Sequence, residues 1–292
     1  MFISKDFKAY KLLDSGDKEK LESWDGIILR RPDPMAIWPK EKPELWDKAD
    51  AFYHRSHQGG GSWEYFRKLP AKWNIAYKDL TFKVSPTDFK HTGLFPEQAA
   101  NWAFISEKIE EGVKQGREVK ILNLFAYTGA ATMVASFAGA KEVVHVDASK
   151  GMTNWAKENA HLSNLDGNTI RYIVDDSLKF VKREKKRGHV YDGILMDPPS
   201  YGRGPNNELF RFEDTINELI EETIKILSDD PLFFLISSYT TGYSTTVMKN
   251  VVEAHFKKMP YKTIVTSEEL GIKAENSEII LPCGIATRVT KC

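Results

Sequence analysis

Two stretches hold residue types at spacings that can do chemistry. Residues 120–147 read KILNLFAYTGAATMVASFAGAKEVVHVD. Gly129 sits in a turn after one apolar run, and Asp147 ends the next. A glycine at such a turn lets a ligand approach the backbone. An acid at the tip of a second strand can accept both hydroxyls of a ribose. The spacing from Gly129 to Asp147 is close to that of the dinucleotide fingerprint, but G-x-G-x-x-G is absent and the turn holds one glycine. That pattern argues for a nucleoside without a pyrophosphate. Residues 196–204 read MDPPSYGRG. Two prolines cannot continue a central ladder, and each fixes its own φ and restricts its predecessor. A rigid loop is expected after the strand 191–196, at the strand end where open α/β sheets bind ligands.

The elements that must position these residues follow from the apolar pattern. Residues 121–125 form a short run suited to a strand buried on both faces, then a helix over 130–138 with Gly139 as its C′ residue, then a strand to Asp147. Ser149 is placed to cap a helix over 149–163. Residues 170–174 read as a third strand and are followed by Asp175-Asp176-Ser177. Asp176 can cap the helix 178–186 and still keep an oxygen free. An amphipathic helix spans 213–227, a strand 231–237 and a helix 244–256. Segments 263–265 and 279–289 supply the last two strands. The basic run 182–187 reads best as a solvated helix end, where cations suit the helix dipole.

Residues 1–84 differ in character, with Trp24, Trp38, Trp46, Trp63 and Trp73 and five prolines. Segments 26–30, 74–77 and 80–84 read as strands, and 59–62 as a flexible turn. We expect a small, mainly antiparallel β domain over 1–84 and a larger domain over 85–292. The small domain is either a substrate-recognition module or a cap. Its interleaved aromatic and basic residues, 63–73, either stack bases or form its own core.

With 41 basic and 41 acidic residues among 292, the chain has no net charge and does not advertise polyanion binding. No apolar run reaches membrane-spanning length. The N-terminal residues lack the order of a signal peptide. Cys283 and Cys292 make neither a disulfide framework nor a metal cluster. The expectation is a cytoplasmic protein with no membrane or metal partner.

NLFAYTGAAT, VDAS, DDSLKF and DPPSYGRG, in that order, resemble a class I S-adenosylmethionine-dependent methyltransferase. More narrowly they resemble the bacterial large-subunit (23S) ribosomal-RNA methyltransferase family that includes cytosine-C5 and guanine enzymes. HTGLFPEQAANW, 91–102, is similar to that family's K-T-G-x-F-x-D-Q-R segment, with His91, Glu97 and Ala99 departing from it. The resemblance covers roughly 85–290. It implies a Rossmann-like α/β fold with a seven-stranded, mostly parallel sheet whose last strand is antiparallel, plus the small N-terminal β-rich domain. It also implies S-adenosyl-L-methionine as cofactor, bound by Thr92, Phe95, Gln98, Asn123, Phe125, Tyr127, Thr128, Gly129, Asp147, Ala148, Ser149, Asp175, Asp176 and Asp197. Asp176 is favoured over Asp175 for the adenine amine. Asp197, Pro198 and Tyr201 are expected to face the acceptor, with Arg203 near a phosphate or carboxylate.

Methyl transfer from a sulfonium needs an aligned nucleophile more than acid–base help. An exocyclic amine fits the Asp197 carboxylate and the Pro198 carbonyl as proton acceptors. Carbon-5 of cytosine needs a thiolate, and residues 236–239 read ISSY where relatives of that type carry a cysteine. The expected activity is therefore methylation of RNA, ribosomal RNA in particular, at a base nitrogen. A protein or small-molecule acceptor and a non-catalytic scaffold are the alternatives.

Overall fold

The computed structural model describes residues 1–56, 60–87 and 90–292. The chain divides into two compact units: Met1–Ala100 with Leu270–Cys283, and Asn101–Glu269 with Gly284–Cys292.

The first unit opens with β1 (Phe2–Ile3), β2 (Tyr10–Gly16), β3 (Glu19–Trp24) and β4 (Ile27–Pro32). A single turn, α1 (Pro43–Trp46), follows, then β5 (Ala51–Arg55), β6 (Gly61–Tyr65), β7 (Trp73–Tyr77) and β8 (Leu80–Val84). Strands β2 to β6 form one sheet in chain order, and β7–β8 form a separate hairpin. All these pairs are antiparallel except β4–β5. The β2–β3 and β3–β4 turns are two-residue loops, Asp17-Lys18 and Asp25-Gly26, with all four residues at positive φ. Such turns match the twist of the flanking strands. Gly26 thus belongs to a turn, not to the strand expected over 26–30. The flexible turn expected over 59–62 is also revised. Gly59 lies outside the described residues, and Gly61 and Ser62 pair with Arg55 and His54 as the start of β6.

Charge is folded into this unit's core. Glu22 and Arg31 are buried and joined by two hydrogen bonds of 2.6 and 2.8 Å, and the Tyr10 hydroxyl donates to Glu22 at 2.7 Å. Burial alone would raise the Glu22 carboxyl. The Arg31 and Lys20 charges and the bonds from Arg31 and Tyr10 outweigh it, holding the group down at about 2.

The second unit is built on α2 (Ala99–Lys114), β9 (Lys120–Leu124), α3 (Ala130–Phe137), β10 (Glu142–Asp147), α4 (Lys150–Leu162), β11 (Ile170–Val174), α5 (Ser177–Arg187) and β12 (Gly193–Met196). There follow β13 (Tyr201–Arg203), β14 (Leu209–Arg211), α6 (Phe212–Ile224), β15 (Phe233–Ser238), α7 (Thr245–Phe256), β16 (Thr263–Lys273) and β17 (Ile280–Lys291), of which 270–273 and 280–283 belong to the first unit. The strand order is β16-β17-β15-β12-β9-β10-β11. The pairs β15–β12, β12–β9, β9–β10 and β10–β11 are parallel, and β17 is antiparallel to β15. β1 pairs in parallel with Leu270 and Gly271 of β16, a further edge strand beyond the seven expected.

Alternation along the buried strands assigns the faces. Leu122, Leu124, Val144, Val146, Ile194 and Met196 pack into one core with residues of α5, α6 and α7. On β9 the alternate residue Asn123 donates to Thr132 of α3 at 2.9 Å. With both faces covered, ligands are left the ends of the strands.

Candidate active site

The C-terminal tips of four adjacent strands are tied by backbone hydrogen bonds. Ala126 N–H donates to the Val146 carbonyl at 3.0 Å, Asp175 N–H to that of Asp147 at 3.1 Å, and Asp197 N–H to that of Leu124 at 3.4 Å. Asp147, Asp175 and Asp197 therefore stand along one edge. Asp197 and Asp147 follow strands separated by β9, two ladder spacings or roughly 10 Å.

The turn after β9 alternates in hand. Phe125, Tyr127 and Gly129 all have positive φ, at 54°, 51° and 84°. Non-glycine residues held there cost about 1–3 kcal/mol each and persist only where the surroundings over-determine them. Here they do. Phe125 packs edge-on against Phe210 at 5.2 Å. Asn159 of α4 donates to the Thr128 carbonyl at 2.8 Å. The Tyr127 N–H donates to one oxygen of Asp147 and the Ser149 N–H to the other, both at 2.8 Å. One donor per oxygen pins the carboxylate and leaves each oxygen a second lone pair. Burial raises the Asp147 carboxyl above the ordinary aspartate value, against those two bonds.

Gly129 has a role the sequence did not announce. A Cβ on it would stand 2.8 Å from the Ala156 Cβ of α4, so the glycine lets the turn pack against that helix. Ala156 and Asn159, three apart on α4 and both fully buried, went unnoticed in the sequence. Their signal was a small residue and an amide at one-turn spacing on the helix after the acid.

Ser149 caps α4, accepting from Met152 N–H at 3.3 Å, and Ala148 beside it is half-buried. Asp176 caps α5 by accepting from Lys179 N–H at 2.9 Å through Oδ1, and its Oδ2 has no donor among the described residues. Asp175 forms an ion pair with Arg183 and also accepts from Asp176 N–H at 2.8 Å. Asn123 is drawn inward: its amide bonds Thr132, whose hydroxyl lies 3.0 Å from His145 Nδ1. Burial holds His145 down at about 3.

Beyond β12, Asp197 is half-buried, Pro198 buried and Ser200 exposed. The Ser200 hydroxyl lies 2.9 Å from that of Thr240, beyond the end of β15. Tyr201 begins an antiparallel hairpin, β13–β14, where a plain loop was expected. In the basic run 182–187, Lys182 and Lys185 bond Glu218 and Glu222 of α6 at 2.6 and 3.1 Å, so that helix end is paired with acids.

Thr92, Phe95 and Gln98 belong to the first unit. Thr92 is buried and its hydroxyl has no hydrogen-bond partner among the described residues, and Phe95 packs on His91 at 5.1 Å. Pro96 opens a 3₁₀ turn, Pro96–Gln98, that leads into α2.

Carboxylates at the strand tips, with a single-glycine turn, suit a ligand that presents hydroxyls, an amine and a positive charge, and do not suit a pyrophosphate. The fold is that of a Rossmann-like α/β protein, and these acceptors suit a nucleoside. Residues 52–223 match the family model for S-adenosylmethionine-dependent methyltransferases, and the chain belongs to that family, with S-adenosylmethionine as its cofactor.

Among curated relatives, the ribosomal RNA large subunit methyltransferase K/L of Shewanella loihica is 35% identical over 147 residues, 50% of this chain and 18% of that protein. The K/L protein of Colwellia psychrerythraea is 28% identical over 206 residues, 68% of this chain and 27% of that one. The chain thus spans under a third of these relatives' length. Among solved structures, the S-adenosylmethionine-dependent methyltransferase from Agrobacterium tumefaciens superposes with a TM-score of 0.93 at 33% identity, covering 98% of this chain and 92% of that one. A structure from Streptococcus mutans, 18% identical with a TM-score of 0.76 over 99% and 76% of the two chains, shares the fold.

Proposed function

We propose that this methyltransferase modifies a base nitrogen of RNA, ribosomal RNA in particular, without a covalent enzyme intermediate; such an acceptor implies a cytoplasmic site of action. The observation that carries the reading is the single edge shared by Asp147, Asp175 and Asp197, with the proline loop rising from the last of them. The names of the K/L relatives support an RNA acceptor.

The bound cofactor supplies an activated methyl group on a sulfonium. The chain's residues do the rest. Asp147 accepts the ribose hydroxyls, Phe125, Tyr127, Thr128, Gly129 and Ala148 line the nucleoside, and the open oxygen of Asp176 accepts from the adenine amine. Asp175 is already engaged by Arg183, which favours Asp176 in that role. Thr92, Phe95 and Gln98 are the further cofactor residues that the family resemblance implies, while Asn123 and Ser149 hold the turn and α4 that frame the nucleoside. The Asp197 carboxylate and the Pro198 carbonyl accept hydrogen bonds from the acceptor amine and turn its lone pair toward the methyl, Asp197 takes the one proton that the methylated nitrogen releases, and Tyr201 stacks on the acceptor. Two observations support a route without a thiolate: β15 ends in Ser237-Ser238, and burial raises the Cys283 thiol well above its ordinary value.

The test is incubation with labelled donor and fractionated cell RNA and protein, then digestion of labelled RNA to nucleosides. Label on a nitrogen of an RNA base is expected, retained in Cys283→Ala. Label confined to protein rejects the RNA acceptor, and label on carbon-5 of cytosine rejects the cysteine-free route. The absence of net charge is the observation that favours a protein or small-molecule acceptor.

A further inference from the structure

The hairpin β13–β14 has two unlike faces. Its register places Tyr201 opposite Arg211, Gly202 opposite Phe210 and Arg203 opposite Leu209. Residues directly opposite in an antiparallel pair share a face, and faces alternate along each strand. The inner face is Gly202 and Phe210. Phe210 is buried against Phe125, and a Cβ on Gly202 would stand 3.2 Å from Pro199. The outer face is Tyr201, Arg203, Leu209 and Arg211, all exposed, with Tyr201 at 55% and Leu209 at 51%.

Charge sets this face apart. Lys179, Lys182, Arg183 and Lys185 of α5 each meet a carboxylate: Glu208, Glu218, Asp175 and Glu222. Arg203 and Arg211 meet none among the described residues, and Arg203 donates only to the Asn207 amide oxygen at 2.9 Å. Glu208, in the hairpin's own loop, is held by Lys179 at 2.6 Å and by Asn206 N–H at 2.9 Å. Glu213 and Asp214, next along the chain, sit in the first turn of α6, where acids suit the helix dipole. A chain with no net charge thus presents two unneutralised guanidiniums beside an exposed aromatic ring, and the hairpin's inner face packs on the turn that follows β9.

We propose that this outer face is the contact surface for a single-stranded RNA segment, with Tyr201 under a base and Arg203 and Arg211 on flanking phosphates. The inference rests on the RNA reading above and names the surface that carries it. A ring stacks on any base, and guanidinium forks match phosphate geometry. A duplex hides the base faces that Tyr201 needs.

The test is binding of a short, mixed-sequence single-stranded RNA, its duplex form and a polyglutamate peptide to the full chain at several salt concentrations, in the presence of S-adenosylhomocysteine. Each phosphate contact on a single strand contributes about 0.7 to the slope of log K against log salt, so Arg203→Gln/Arg211→Gln is expected to flatten that slope by about 1.4. Tyr201→Leu is expected to weaken binding about 5- to 150-fold. Lys182→Gln/Lys185→Gln, on the paired helix face, is expected to leave the slope unchanged, and calorimetry with S-adenosylmethionine should read alike for the wild type and both double variants. An unchanged slope in the arginine variant, an equal loss in the lysine variant, tighter binding of the duplex, or preference for the peptide overturns the proposal. If RNA is methylated at a nitrogen and the slope is unchanged, the hairpin assignment falls and the proposed function stands. If label goes only to protein, both fall.

Discussion

Asp147 carries two demands on one carboxylate. Its oxygens hold the Tyr127 and Ser149 amides in place, and their remaining lone pairs face a ribose in the proposed complex. Burial raises its pKa, so the neutral form appears at higher pH than for an exposed aspartate. The protonated form is the weaker acceptor for sugar hydroxyls. Cofactor affinity should therefore fall as pH drops, beginning above the ordinary aspartate value, and Asp147→Asn should bind more weakly with a flat profile. Calorimetry across pH checks both, and a wild-type profile as flat as the variant's would reject the assignment. Loss of two charge-assisted bonds of about 1.5–3 kcal/mol each predicts weakening of roughly 10²- to 10⁴-fold. Thr240 offers a second test at this scale. Thr240→Val removes the partner of Ser200 at 2.9 Å. Losing about 0.5–1.5 kcal/mol of positioning should lower kcat roughly 2- to 13-fold with cofactor affinity unchanged; a change in cofactor affinity instead would show that the pair serves the nucleoside.

At the scale of elements, the turn between β9 and α3 is held from outside itself. Gly129→Ala meets both a positive φ and the Ala156 methyl at 2.8 Å. A destabilisation of about 2–4 kcal/mol is expected in urea unfolding. Adding Ala156→Gly should recover the steric part and leave the backbone part; no recovery would mean the clash is not the cause. In the first unit, Glu22 is held down at about 2 against an ordinary 4.5. A carboxyl depressed in the folded state contributes stability that is present above the unfolded value and lost as pH falls through the folded one. Acid unfolding should accordingly steepen between about pH 4.5 and 2. Arg31→Met, which leaves Glu22 buried with only the Tyr10 hydroxyl and the Lys20 charge beside it, should cost about 3–5 kcal/mol, while Arg31→Met with Glu22→Leu should cost less. Thermal melts of the full chain from neutral to acid pH read both effects.

For the molecule as a whole, the larger unit was legible because its central strands are apolar runs with few polar interruptions and three of its helices carry side-chain caps. Ser149, Asp176 and Ser244 each accept from the backbone three residues on. The smaller unit was less legible. β2 and β3 went unseen because Asp14 and Glu22 lie in the interior, and a buried charge looks like surface until its partner is known. The β13–β14 hairpin was hidden for a related reason: its outward face mixes Tyr201 and Leu209 with two arginines, so polarity does not mark the faces and only the packing of Phe210 on Phe125 reveals it. Local order along the chain determined the α/β class, the strand tips and the acids that end them, because strand length, proline and glycine act over a few residues. Tertiary structure decided which of those acids keeps an open oxygen, why Gly129 must lack a side chain, and which arginines stay unpaired. Those properties depend on neighbours brought together from distant parts of the chain, and no local pattern encodes them.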